Sequence, residues 1–137
     1  MEKTIIKNSI AASAVISITP GYFHNNEADL DLTAFGTLYQ ETAEAVFMKT
    51  KMYCGAIIAP CKTVYRVQWG CPRGGENGVN ITANCNPSYA PERSADEYIR
   101  LWKDAFLSIV EILMIKLEQL TVTVAFSDGD LVYLKNE

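Results

Sequence analysis

The stretch SADEYIRLWKDAFLSIVEILMIKLEQLTVTVAF, residues 94–126, sets a capped helix directly before a strand. Ser94-Ala95-Asp96-Glu97 has the form of a capping box, in which the serine oxygen accepts a free backbone N–H and the glutamate reaches back. Tyr98, Trp102, Phe106, Ile109, Leu113 and Leu117 then recur at three- and four-residue spacing, the buried stripe of a helix that runs to about Glu118. Leu101, Ile112 and Met114 widen the stripe, so the helix is expected to be covered on more than one side. The period next switches to two. Leu120, Val122, Val124 and Phe126 point inward and Thr121, Thr123 and Ala125 outward, as in a strand with one apolar face. SDGD, 127–130, makes a tight turn around Gly129, and LVYL, 131–134, is a short last strand.

The same unit stands earlier in the chain. Ser9–Thr19 alternates as a strand and is closed by Pro20-Gly21. After the polar loop FHNNEADLD, a helix over Thr33–Lys51 carries Phe35, Leu38, Tyr39, Thr42, Val46 and Phe47 on one face, with Asp31 or Thr33 as its cap. Cys54–Trp69 reads as extended: CGAIIAPC is apolar around Pro60, and TVYRVQW alternates. GCPRGGENG, 70–78, is a turn or loop, and VNITANCNP, 79–87, is a strand. The order is therefore a doubled β-α-β. The expected fold class is α+β, one domain over 1–137, with a four-stranded mixed sheet, both helices on one face and a short C-terminal hairpin.

Composition narrows the function. The 137 residues hold 49% hydrophobic and 20% charged side chains, an ordinary globular balance that needs no staple. The net charge is −4 and the pI about 5.0, with Lys and Arg scattered, so no nucleic-acid surface is expected. Cys54, Cys61, Cys71 and Cys85 include no C-x-x-C pair and the single histidine, His24, is remote; no metal or other cofactor is expected. SIAASAVISI, 9–18, follows Lys3 and Lys7 like a signal h-region, yet it alternates as a half-buried strand does. No run approaches a membrane span, so the protein is expected to be soluble and cytoplasmic, with no membrane partner.

With both helices on one face of the sheet, the opposite face collects Ser13, Ser17, Arg66, Gln68, Asn80, Thr82, Asn84, Thr121 and Thr123. These side chains are mostly short and neutral. A face open to bulk water commonly carries more Lys and Glu, and one glued to another sheet carries Val, Ile and Phe. Short polar groups suit a crowded, hydrogen-bonded interface, so a homo-oligomer is expected. A solvated face remains the alternative.

EADLDLTAF, YRVQW and ERSADEYIRLWKDAFLSIVEIL leading into LTVTVAF are similar in order and spacing to the tautomerase superfamily, which includes macrophage migration inhibitory factor and 5-carboxymethyl-2-hydroxymuconate isomerase. The resemblance covers most of Ser13–Phe126. It implies a cytoplasmic homotrimer of alpha+beta subunits around a polar channel, binding and perhaps isomerising a small anionic organic acid between subunits. The catalytic N-terminal proline of that superfamily has no counterpart: the chain begins Met1-Glu2-Lys3, and Pro20 lies at the far end of the first strand. The alternative is a non-enzymatic interaction or assembly module of ferredoxin-like fold, which shares the element order.

Arg66, Arg73 and Glu76 are the candidate ligand-binding residues; catalytic residues are left unknown, and so is whether the chain is an enzyme. Arg66 offers a bidentate partner for a carboxylate or for an acidic residue of a neighbouring subunit. Arg73 and Glu76 sit with Cys71 in the glycine-rich loop, which is either an anion-binding lid or a plain connection. His24 as a base, Cys71 as a nucleophile and Asp128-Gly129-Asp130 as a calcium loop are weaker than their structural readings. Trp69, Trp102, Tyr65, Tyr89 and Tyr98 are aromatic candidates for a pocket, with Tyr98 and Trp102 better placed in the core and Tyr89 at the surface.

Overall fold

A computed structural model describes residues 1–18 and 31–136. The elements are β1 (Ala11–Ser17), α1 (Leu32–Thr50), β2 (Ile57–Thr63), β3 (Glu76–Asn84), α2 (Ala95–Lys116), β4 (Thr121–Phe126) and β5 (Leu131–Lys135). Pro20, Gly21 and His24 lie outside the described residues, so the expected end of the first strand does too.

The strands form a five-stranded sheet in the order β2-β3-β1-β4-β5. Every neighbouring pair is antiparallel. The expected four-stranded mixed sheet is therefore corrected. Each helix joins two parallel strands, but another strand lies between them: β3 separates β1 from β2, and β1 separates β3 from β4. Interleaving two β-α-β units in this way removes every parallel contact, which is the ferredoxin-like arrangement. The last strand pairs with β4 through the turn at Gly129 and extends the sheet.

Both helices use the caps expected of them. Asp31 accepts the Ala34 N–H at 2.7 Å, and Ser94 accepts the Glu97 N–H at 3.1 Å. Lys51, at φ 63°, closes α1 in the left-handed conformation by donating its N–H to the Phe47 carbonyl. The core lies between the helices and the alternate residues Ala12, Ala14, Ile16, Val79, Ile81, Ala83, Val122, Val124 and Phe126. Small residues on β1 leave room for the large stripe of α2. Trp102 stacks on Phe106 at 5.7 Å, and Phe106 meets Phe126 edge-on at 6.4 Å. Thr42, fully buried on α1, donates its hydroxyl to the Leu38 carbonyl at 2.8 Å.

Two expected segments run differently. Tyr65–Trp69 is not strand. β2 ends at Thr63, opposite Glu76, and residues 67–69 form a 3-10 turn in which the Trp69 N–H bonds the Arg66 carbonyl at 2.9 Å. Gly70, Gly74 and Gly75 adopt positive φ and fold the segment back on itself. Pro60 is accepted within β2 because that strand is the sheet edge. At the other end of the chain, Leu120 is half exposed and Gln119 is buried. Glu118, at φ 55°, turns the backbone out of α2, and the Gln119 N–H bonds the Met114 carbonyl at 2.8 Å. The inward parity of β4 therefore starts at Val122.

The four cysteines are free thiols. Burial pushes Cys54 up to about 12 and Cys85 up to about 11, so both stay protonated and inert at neutral pH. Among the described residues no cluster of ligands could hold a metal ion, and no helix is long and apolar enough to cross a membrane.

Candidate functional site on the open face of the sheet

The sheet face away from the helices is hollow. A cavity of about 470 Å³ is lined by Ser13, Val15 and Ser17 of β1, Thr121 and Thr123 of β4, Gln119, and by Thr63, Tyr65 and Glu76 at the far end. That volume lies in the range of small-molecule sites. The alternation that buries Ala12, Ala14 and Ile16 delivers Ser13, Val15 and Ser17 to this face. Ser13 Oγ donates to Asn80 Oδ1 at 3.4 Å, and Ser17 Oγ donates to the Asn77 carbonyl at 3.4 Å. Asn80, Thr82 and Asn84 share this face, so the short polar side chains are gathered where their alternation places them.

Glu76 is the one acidic or basic side chain among the described residues of the lining. The Tyr65 hydroxyl donates to Glu76 Oε2 at 3.2 Å, which joins the loop after β2 to the start of β3. Both groups are half-buried. A carboxylate bordered by hydroxyls and amides suits a cation, because it supplies one countercharge and many neutral hydrogen-bond partners. A second hollow, of about 430 Å³, lies between α1 and β2 around Leu32, Gly36, Thr37, Gln40 and Ile58. Its lining includes no acidic or basic side chain among the described residues, so the sheet-face hollow is the stronger candidate.

Of the three expected ligand-binding residues, only Glu76 borders this cavity. Arg66 lies off the sheet, exposed at the start of the 3-10 turn, with its guanidinium 5.6 Å from the centre of the Trp69 ring. Gln68, expected beside it on the polar face, is in the same exposed turn. Arg73 is exposed in the glycine-rich loop. Cys71 is buried inside that loop and has no histidine beside it among the described residues. Asp128 and Asp130 form no calcium loop: both take an ion pair from Lys103, which also lies over the Phe126 ring at 4.7 Å. Tyr98 and Trp102 are core, and Tyr89 is exposed.

The family model for SAM lyase matches residues 7–135. The chain belongs to the SAM lyase family. Among solved structures, a phage SAM lyase in complex with S-methyl-5'-thioadenosine superposes with a TM-score of 0.66 over 100% of this chain and 97% of that one, at 14% identity. The same TM-score and coverage hold for a phage SAM lyase in its apo state, at 13% identity. At such identities the likeness is one of fold. No curated protein matches the chain. This family corrects the tautomerase resemblance, which rested on an element order that different sheets share. The isomerase reading and the anionic organic-acid ligand go with it. Among the described residues, the cavity lining also presents a carboxylate and no arginine, which disfavours an anion there.

Tyr65 enters the site from a turn that alternation reads as a strand. Gln119 was not singled out in the sequence. The signal that could have found it is its position, a polar residue where a helix hands over to a strand.

Proposed function

We propose that this chain cleaves S-adenosylmethionine without water and releases S-methyl-5'-thioadenosine in the cavity on the open sheet face. The observation that carries the reading is the Glu76 carboxylate held by the Tyr65 hydroxyl at 3.2 Å in the cavity of a chain from this family. The substrate is a sulfonium cation. Its neutral thioether product keeps the methyl and the adenosyl group, so the bond that breaks joins sulfur to the γ-carbon of the amino-acid chain.

A lyase reaction adds no water, so the electron pair that replaces this bond comes from within the substrate. The α-carboxylate reaches the γ-carbon by closing a five-membered ring. A C–O bond forms, the C–S pair goes to sulfur, and the products are the thioether and homoserine lactone with its ammonium intact. No proton moves. One negative and one positive charge disappear together, so water holds the reactants back more than the transition state, and a cavity that excludes water favours closure. The protein's task is then to hold a cation and fold its chain. Glu76 supplies the countercharge, Tyr65 fixes that carboxylate, and the hydroxyls of Ser13, Thr121 and Thr123 and the Gln119 amide border the nucleoside and amino-acid ends.

Liquid chromatography with mass detection on purified protein and S-adenosylmethionine tests this. Equal amounts of thioether and homoserine lactone are expected. If the second product is 2-aminobut-3-enoate, Glu76 instead removes a β-proton and the ring-closure step is wrong.

Among the described residues, the cavity is open to one side. Its sheet face carries exposed Ile57 at one edge and Leu131 and Tyr133 at the other. A homo-oligomer, a trimer by preference, would cover these apolar edges and close the cavity over its polar floor. Light scattering on a size-exclusion column should return a multiple of 15.2 kDa; a monomer would remove this part of the proposal.

A further inference from the structure

Between the paired residues Thr63 and Glu76 the chain makes a closed loop, and Cys71 fills its centre. Cys71 is 3% exposed. Its sulfur accepts the Tyr65 N–H at 3.4 Å, and its own N–H reaches the Arg66 carbonyl at 3.5 Å. The thiol lies 3.3 Å from the Pro72 carbonyl and 3.8 Å from that of Thr63, each able to accept its proton. Around it Val64, Arg66, Val67 and Trp69 are exposed, so little else on the outside of the loop is packed. Gly75 closes the base at φ 101°, where an added Cβ would lie 3.0 Å from Val64 Cγ2 and 3.1 Å from the Thr63 carbonyl. The loop therefore has no apolar core of its own. Its interior is one sulfur that ties down the backbone of the residue whose hydroxyl reaches Glu76.

We infer that Cys71 is a positioning residue for cleavage: by bonding the Tyr65 backbone inside the loop, it sets where the Tyr65 hydroxyl meets Glu76. The inference rests on the proposed S-adenosylmethionine cleavage. It gives the thiol no nucleophilic part, since the sulfur faces into the loop and not into the cavity. A serine keeps a buried acceptor and donor at the same place. An alanine removes both and leaves the loop without its centre.

Steady-state cleavage of S-adenosylmethionine, followed by thioether release, separates the cases. In Cys71→Ala, kcat should fall roughly ten- to a hundredfold, the scale of a small misplacement at a reacting centre, with KM changed much less. Cys71→Ser should recover most of that loss. In a Tyr65→Phe background the Cys71→Ala change should cost almost nothing more, because the two residues act through one contact. The inference is overturned if Cys71→Ala keeps wild-type kcat, or if it costs the same factor with and without the Tyr65 hydroxyl. Should neither Cys71 variant fold, amide hydrogen exchange in the native protein decides. Protection of the Tyr65 N–H well above that of the neighbouring exposed turn supports the tie, and equal exchange overturns it. A wild-type protein that releases no thioether defeats the proposed function itself, whereas the Tyr65 amide still reports on the tie.

Discussion

The two faces of this sheet are made from the same strands, one residue out of phase, and do opposite work. Ala12, Ala14, Ile16, Ile81 and Val124 point to the helices and are buried to within 2% of full coverage. Ser13, Val15, Asn80, Thr82 and Thr123, their immediate neighbours, lie on the open face, and Ser13, Val15 and Thr123 line the cavity. The first face is apolar because the helices must be held there. The second is mostly short and polar, with a carboxylate at one end, and is the face on which the proposed cleavage would run. Stability and chemistry are therefore separable by parity along one strand, which a side-chain period of two makes possible.

The sharpest way to break that separation is on the helix side. Phe106→Ala removes a fully buried ring that stacks on Trp102 and meets Phe126. It should cost about 3–5 kcal/mol in denaturant unfolding, while the fraction that remains folded cleaves at an unaltered rate. A strong rate defect per folded molecule would show that the faces are coupled. On the cavity side Glu76→Gln keeps size and hydrogen bonding but removes the charge. It should lower kcat/KM about a hundredfold, the scale of losing one electrostatic contact in an active site, with the unfolding midpoint scarcely moved. A comparable loss of stability instead would make Glu76 a structural residue.

A smaller effect is expected at the far end of β3. Asn84→Lys places a long charge on the exposed open face and should change stability by no more than about 0.5 kcal/mol. If subunits meet there, the native mass falls; an unchanged mass argues against that contact. The smallest effect belongs to the hairpin clamp. The Lys103 ammonium holds the Asp128 carboxyl below the usual carboxylate range, and the hydrogen bonds it donates to Asp128 and Asp130 raise Lys103. The Asp128 contribution is complete at neutral pH and fades as acid is added, through its lowered folded-state value. The Lys103 contribution persists below its ordinary value of 10.5 and disappears as pH rises through its raised one. Lys103→Met should therefore lower the melting temperature slightly at pH 7. That difference should vanish at both extremes and shrink in high salt, since these groups are largely solvated.

Much of this architecture is legible in local pattern. The serine at 94 and the aspartate at 31 mark helix starts because an unpaired N–H needs an oxygen nearby, and the alternation of β1, β3 and β4 sorts their side chains by face before any contact is known. The segment at Tyr65–Trp69 defeats the same reasoning, because a period of two says nothing about whether a partner strand is in reach. Glycines at 70, 74 and 75 release the chain there, and the hydroxyl of Tyr65 finds Glu76 across a loop eleven positions long in sequence. Gln119 escapes for a related reason: a single left-handed residue, Glu118, turns the chain out of α2 just before it, leaving Leu120 half exposed and Gln119 buried.

By itself the sequence determined the two capped helices, the alternating strands and the polar second face, since each depends on neighbours a few residues apart. Only the tertiary structure decided that the two β-α-β units interleave, that all pairs run antiparallel and that Glu76, not Arg66 or Arg73, borders the cavity. Those outcomes depend on which strand lies between which. Pairing of that kind is fixed by burying one common core, and no short stretch of chain carries it.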